Sequence, residues 1–236
     1  MKKLFACLTL TALLASSLAH ADVAGVKAAM QKKFPKEKIL EVVKTPYSGL
    51  YEVAFGDSIV YTDENLSFLF SGSIYDMKTM QNVTEARAKK LYAIKFDSLP
   101  FQYALKEVKG NGKRRIAIFT DPNCPFCKRL EKEMQHVDNV TVYSFILAIL
   151  PGSPEKAKNI WCSPDRGKAL RDDLLNDVTP PKAKPCDTRA LAEVSRLAEK
   201  LRINGTPAIV FEDGTMNPGL MPADEIDKQL TESAKK

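Results

Sequence analysis

Apolar and polar positions change rhythm several times along the chain. Val26, Ala29, Met30 and Phe34 recur at helical spacing and predict a short helix that Pro35 ends. Ile39 to Val43, Leu50 to Phe55, Ser58 to Tyr61 and Ser67 to Phe70 then read as short strands. Ser48-Gly49, Gly56-Asp57, Asp63-Glu64-Asn65 and Ser71-Gly72-Ser73 supply the turns between and after them. Thr84 to Phe96 is charged and Ala-rich, which predicts a connecting helix capped by Asn82 or Thr84. Beyond the turn Lys109-Gly110-Asn111-Gly112-Lys113 the pattern becomes denser. Ile116 to Thr120 and Val140 to Leu147 read as buried strands, and Leu130, Met134 and Val137 mark a helix between them. Pro151-Gly152-Ser153-Pro154 breaks the chain before helices through Ile160-Trp161, Ala169 to Leu175 and Leu191 to Leu201. A turn and strand over Asn204 to Phe211, a hairpin turn at Asp213-Gly214 and a helix over Asp224 to Leu230 close the chain.

Composition sharpens this picture at the N-terminus. Lys2 and Lys3, the apolar run Leu4 to Leu18 and the small-residue site Ala19-His20-Ala21 together predict a secretory signal over residues 1–21. Cys7 precedes most of that apolar run, where a lipid-attachment cysteine would follow it, so it reads as part of the discarded segment. Cleavage would leave 215 of the 236 residues; two lysines and no acid leave with the segment, taking the net charge from +6 to +4. No other stretch is long and apolar enough to span a bilayer, so a soluble protein outside the cytoplasm is expected, in bacteria the periplasm. Without a basic run or interleaved aromatic and basic residues, the charge gives no case for nucleic acid. His136 is the one histidine beyond the signal, which leaves little material for a zinc site; no metal and no cofactor are expected. The region 22–81 is a small meander with a poor ratio of core to surface and unpaired strand edges. Dimerisation would cure both defects, and so would packing on the rest of the chain; both readings stand.

The chemistry lies in Phe119-Thr-Asp-Pro-Asn-Cys124-Pro125-Phe126-Cys127. Two thiols with two residues between them, where a strand hands over to a helix, form a redox dithiol. The unpaired N–H groups of a helix's first turn favour thiolate over thiol, so Cys124 is the expected attacking sulfur. Cys127, one turn inside the helix, is the expected resolving one. Lys128-Arg129 reads equally well as support for a thiolate or as a solvated face. His136 lies about 13 Å along the helix at 1.5 Å per residue, too far to act as a base. Trp161 reads as a core or hinge-packing aromatic.

Three stretches in this order, Phe-Thr-Asp-Pro-Asn-Cys-Pro-Phe-Cys, Ile160-Trp-Cys-Ser-Pro-Asp165 and Gly205-Thr-Pro-Ala-Ile-Val-Phe211, make the chain resemble the DsbC/DsbG family of disulfide isomerases. The element order independently matches a thioredoxin-type domain interrupted by helices. The fold class expected is therefore mixed, α+β and α/β. It comprises a small N-terminal β-rich dimerisation domain over 22–81, a linker helix over 82–98, and a thioredoxin-like catalytic domain with a helical insertion over 99–236. The resemblance implies a V-shaped homodimer joined through its N-terminal domains, with two catalytic domains facing a cleft. It also implies that misoxidised exported proteins are the substrates, and that a membrane thiol reductase of the DsbD type keeps the dithiol reduced.

Carried over by position, Cys124 and Cys127 are the catalytic pair, and Thr206-Pro207 is a loop with a cis-proline lying against them. Pro125, Phe126, Thr206 and Pro207 are the expected substrate-binding residues. The best-known isomerases of the family carry Gly-Tyr between the cysteines, whereas Pro125-Phe126 stands here. That pair tunes reduction potential, where about 30 mV corresponds to about 1.4 kcal/mol. Cys162 and Cys186, outside any Cys-x-x-Cys, read as a structural disulfide tying down the helical insertion. The leading function is reshuffling or reduction of wrong disulfides, with associated chaperone activity. A dithiol oxidase on the same scaffold and a holdase chaperone are the alternatives.

Overall fold

The computed structural model describes residues 22–56 and 58–234. The expected signal over 1–21, Cys7 within it, and Asp57 of the Gly56-Asp57 turn lie outside the described residues. The chain divides into two compact units, Met1–Ser73 and Ile74–Lys236.

In the first unit α1 spans Val23–Lys33, and the Asp22 carboxylate accepts the Gly25 N–H as its cap. Val26 and Met30 face inward, Phe34 is half-buried and Ala29 is exposed, so the helical stripe is narrower than its sequence suggests. Strands β1 (Glu41–Lys44), β2 (Tyr51–Ala54) and β3 (Ile59–Thr62) form an antiparallel sheet with β2 in the centre. Val26 and Met30 pack against Val42, Tyr51 and Val53 of this sheet. Ser67 to Phe70 does not form the expected strand: only Phe70 bridges, to Tyr61. The Asp63 carboxylate takes the Ser67 N–H at 2.7 Å, and the Thr62 hydroxyl donates to the Phe68 carbonyl at 2.6 Å. Side chains there occupy backbone groups that a ladder would need.

The second unit opens with a hairpin of β4 (Tyr75–Asp76) and β5 (Gln81–Asn82), followed by α2 (Val83–Leu91). Asn82 caps α2 by accepting the Glu85 N–H, while the Thr84 hydroxyl accepts from Ile74 instead. The helix stops at Leu91, short of the expected Phe96. The Ile94 N–H bonds the Gly214 carbonyl at 2.8 Å and Phe96 is buried in the core, so tertiary contacts outweigh local helix preference.

In chain order there follow β6 (Leu105–Lys109), β7 (Arg114–Thr120), α3 (Pro125–Met134), β8 (Val140–Ile146), α4 (Ser153–Trp161), α5 (Arg166–Asn176), α6 (Arg189–Lys200), β9 (Ala208–Phe211), β10 (Met216–Pro218) and α7 (Ala223–Ser233). The five strands make one sheet in the order β10-β9-β7-β8-β6. β7 and β8 are parallel, joined by the α3 crossover, and the other pairs are antiparallel. One face packs Ile116, Ile118, Val142 and Ile209 against Leu130 and Met134 of α3 and Ile226 and Leu230 of α7. The other packs Ala117, Phe119, Phe145 and Val210 against Val194 and Ala198 of α6. Each large aliphatic so buried contributes about 1.5–3 kcal/mol. The insertion α4–α5 carries its own cluster of Ile160, Trp161, Leu170 and Leu174, which Cys124 and Cys127 join. The outer strands are β6, with Lys106, Glu107 and Lys109, and β10, which ends in Pro218. Among the described residues no helix is long and apolar enough to cross a membrane.

Candidate active site

The central strand β7 delivers the chain to the cysteines. Leu147 donates to the carbonyl of its last residue, Thr120, and the chain then turns through Asp121-Pro122-Asn123. The Cys124 N–H closes this turn on the Asp121 carbonyl at 3.0 Å. Cys124 is the N-cap of α3 with extended backbone, and Pro125 starts the helix, where its missing N–H costs nothing. This puts the Cys124 side chain at the helix's positive end.

Cys124 and Cys127 are both free thiols and both buried. The Cys124 Sγ–H donates to the Thr206 carbonyl at 3.2 Å, and the Thr206–Pro207 bond is cis. Two loops distant in sequence thereby meet at one sulfur. Cys127 sits behind, 2% exposed, with its Sγ accepting the Asp121 N–H at 3.4 Å and facing the Thr120 and Thr206 hydroxyls. Burial pushes its thiol up to about 12, the neighbouring Cys124 adds to the rise, and those three donors oppose it. At neutral pH Cys127 is therefore a thiol.

The other expected site residues fall in two groups. Pro125 and Phe126 are exposed at the helix start, with the Arg129 guanidinium 5.9 Å from the Phe126 ring centre. Lys128 is committed to an ion pair with Asp177, the residue that ends α5, and this pairing holds the Asp177 carboxyl below its ordinary value. His136 is exposed past the end of α3. Trp161 packs in the insertion's cluster, its indole N–H donating to the Asp187 carbonyl at 3.0 Å and Arg166 lying over its ring at 4.3 Å. Next to it a disulfide joins Cys162 and Cys186, whose Cα atoms are 5.6 Å apart.

Two residues of the site escaped the sequence reading. Thr120 looks like the last β-branched residue of a strand, and Asp121 like an ordinary turn former. Both line the approach to Cys127. A signal was present for the second: Asp two residues before Asn in a tight turn is an Asx pattern, and Asp121 Oδ1 does accept the Asn123 N–H at 2.8 Å.

The arrangement suits one chemistry: a first sulfur at a helix start beneath the carbonyl of a facing loop, and a second sulfur behind it, both buried. Comparison with known proteins agrees. Residues 101–234 match the family described as thioredoxin-like domain, and residues 17–85 that described as disulfide bond isomerase protein N-terminal domain. The chain is 41% identical over 207 residues to a probable thiol:disulfide interchange protein DsbC of Bordetella avium, covering 87% of this chain and 74% of that protein. It is 29% identical over 243 residues to the thiol:disulfide interchange protein DsbC of Escherichia coli, covering 100% and 98% of the two chains. Among solved structures it is similar to a disulfide interchange protein from Neisseria gonorrhoeae, with a TM-score of 0.56 and 39% identity, over 58% of this chain and 100% of that one. The chain belongs to the DsbC family of thiol:disulfide interchange proteins.

Proposed function

We propose that Cys124 and Cys127 are the dithiol through which this thiol–disulfide isomerase works. The observation that carries the reading is the asymmetry of the two sulfurs. Cys124 is the N-cap of α3, against the Thr206-Pro207 loop, while Cys127 lies one turn inside the helix and is held as a thiol by burial. The Cys124 thiolate attacks one sulfur of a wrong disulfide; a mixed disulfide forms and the substrate's other sulfur leaves as thiolate. A substrate thiolate then attacks the mixed disulfide to give a reshuffled pair and free Cys124. Alternatively Cys127 loses its proton and attacks Cys124, leaving an oxidised dithiol and a reduced substrate. Pro125, Phe126, Thr206 and Pro207 form the surface that an extended substrate segment meets, and Cys162–Cys186 serves as the structural disulfide.

The same reading places the protein in the periplasm after loss of residues 1–21, acting on misoxidised exported proteins, with chaperone activity toward non-native chains. Residues 22–81 form its dimerisation domain in a homodimer, 82–98 the linker and 99–236 the catalytic domain. A membrane thiol reductase of the DsbD type returns the oxidised dithiol to the reduced state. Trapping thiols with acid and alkylating them in intact cells tests the assignment. A reduced Cys124–Cys127 pair beside an oxidised Cys162–Cys186 pair is expected. An oxidised active-site pair would make the protein an oxidase, and a C124A variant that still corrects a scrambled substrate would remove the dithiol from the mechanism.

A further inference from the structure

Asp121 is fully buried, and its carboxylate is the most heavily bonded side chain at the site. Oδ1 accepts the Asn123 N–H at 2.8 Å and the Ser153 hydroxyl at 2.5 Å. Oδ2 accepts the N–H groups of Ile149 at 2.8 Å and Leu150 at 3.0 Å. Four donors on two oxygens fill the acceptor capacity that only an ionised carboxylate offers in full. The partners come from two places: the turn that carries Cys124, and the loop from β8 into α4, with buried Ser153 opening that helix. The backbone N–H of the same residue points the other way, to Cys127 Sγ.

From this we infer that Asp121 is a positioning residue for the resolving thiol. By anchoring its carboxylate in the 149–153 loop, it fixes its own N–H at the place where the Cys127 thiolate develops. The inference rests on the dithiol reading above. A carboxylate whose oxygens are already saturated is unsuited to take the Cys127 proton, so its part is geometric. Electrostatics and geometry give opposite signs for its removal. Loss of a buried negative charge near Cys127 would ease thiolate formation. Loss of the anchor would let the N–H drift from the sulfur and slow it.

Reaction of the reduced protein with an aromatic disulfide, 5,5′-dithiobis(2-nitrobenzoate), separates the two steps. Cys124 thiolate attacks first, releasing one nitrothiobenzoate and forming a mixed disulfide. Cys127 thiolate then attacks Cys124, closing the Cys124–Cys127 bond and releasing the second; the Cys127 proton goes to solvent. The expected result for Asp121→Asn is a second phase slowed about tenfold, the equivalent of about 1.4 kcal/mol. Ser153→Ala, which keeps the charge and removes one anchor, is expected to slow that phase about threefold. The pH midpoint of the second phase should rise in both, a readout that mere loss of stability leaves in place. An unchanged or faster second phase in D121N overturns the inference. Should D121N fail to fold, as far-UV circular dichroism would show, the S153A rate decides, and a second phase within experimental error of the parent's overturns it. A second phase persisting in C127A would remove the dithiol reading itself, and this inference with it.

Discussion

Glu131, on α3 one turn beyond Cys127, offers a quantitative test of how burial acts in this domain. Its half-buried carboxyl lines a cavity between α3, β6 and α5, together with Glu107 and Lys109 of β6 and Arg171 of α5. Neither base is devoted to it: the Lys109 Nζ donates to the Met134 carbonyl at 2.7 Å, and Arg171 pairs with Glu107 at 3.4 Å. Burial pushes Glu131 from 4.5 up to about 7; Glu107 adds to the rise, while Lys109 and Arg171 oppose it. Between those two values the folded protein holds a proton that the unfolded chain has released. Stability therefore falls as pH rises through that window, and below it the effect vanishes. A displacement of that size corresponds to about 3 kcal/mol at 1.36 kcal/mol per pKa unit, which contact with solvent reduces to about 2 kcal/mol. Glu131→Gln keeps the shape and removes the charge. Urea unfolding followed by far-UV circular dichroism should find E131Q about 2 kcal/mol more stable than the parent at pH 8, with the two converging at pH 4. An offset independent of pH, or a less stable E131Q at pH 8, would refute the reasoning.

Two further perturbations probe what holds the site in place. Replacing both Cys162 and Cys186 by Ser opens a loop spanning a sequence separation of 24 residues and should lower stability by about 3 kcal/mol. Attack of Cys124 on a small disulfide should stay within about twofold of the parent's rate; unchanged urea midpoints would contradict the structural role. Gly214 has φ +86°, and a Cβ there would lie 2.3 Å from the Ile94 carbonyl oxygen, so Gly214→Ala should cost about 3 kcal/mol, read as a lower thermal midpoint.

The sequence made the central elements legible because their signals are local and strong. Ile116 to Thr120 and Val140 to Leu147 are dense enough in apolar and β-branched residues to be strands under any reading, and the Cys-Pro-Phe-Cys step marks the helix start. Strand β6 was not anticipated: Leu105-Lys-Glu-Val-Lys109 is mostly charged, and Val108 is 56% exposed on the sheet's edge, so no periodic apolar face announces it. The hairpin strands Tyr75–Asp76 and Gln81–Asn82 are too short to carry a period at all. Helix α2 was read too long because Ile94 and Phe96 continue its composition, although long-range contacts hold them elsewhere. At the site, residue types revealed the two sulfurs. The environment of Cys127 depends on Thr120, Asp121 and Thr206, which only folding brings to it.

The two outer strands of the five-stranded sheet bear on how such a protein survives its own occupation. A chain proposed to handle non-native polypeptides meets extended segments in search of a strand to pair with, and an open edge would turn each encounter into the seed of a fibril. On one side, Pro218 has no N–H to offer a newcomer. On the other, the exposed Lys106 would have to be stripped of water before an apolar segment could lie alongside, and Glu107 and Lys109 are already engaged with Arg171 and the Met134 carbonyl. On the proposed function, contact with clients would thus be steered away from the rims of the sheet, and transient engagement kept from becoming permanent assembly.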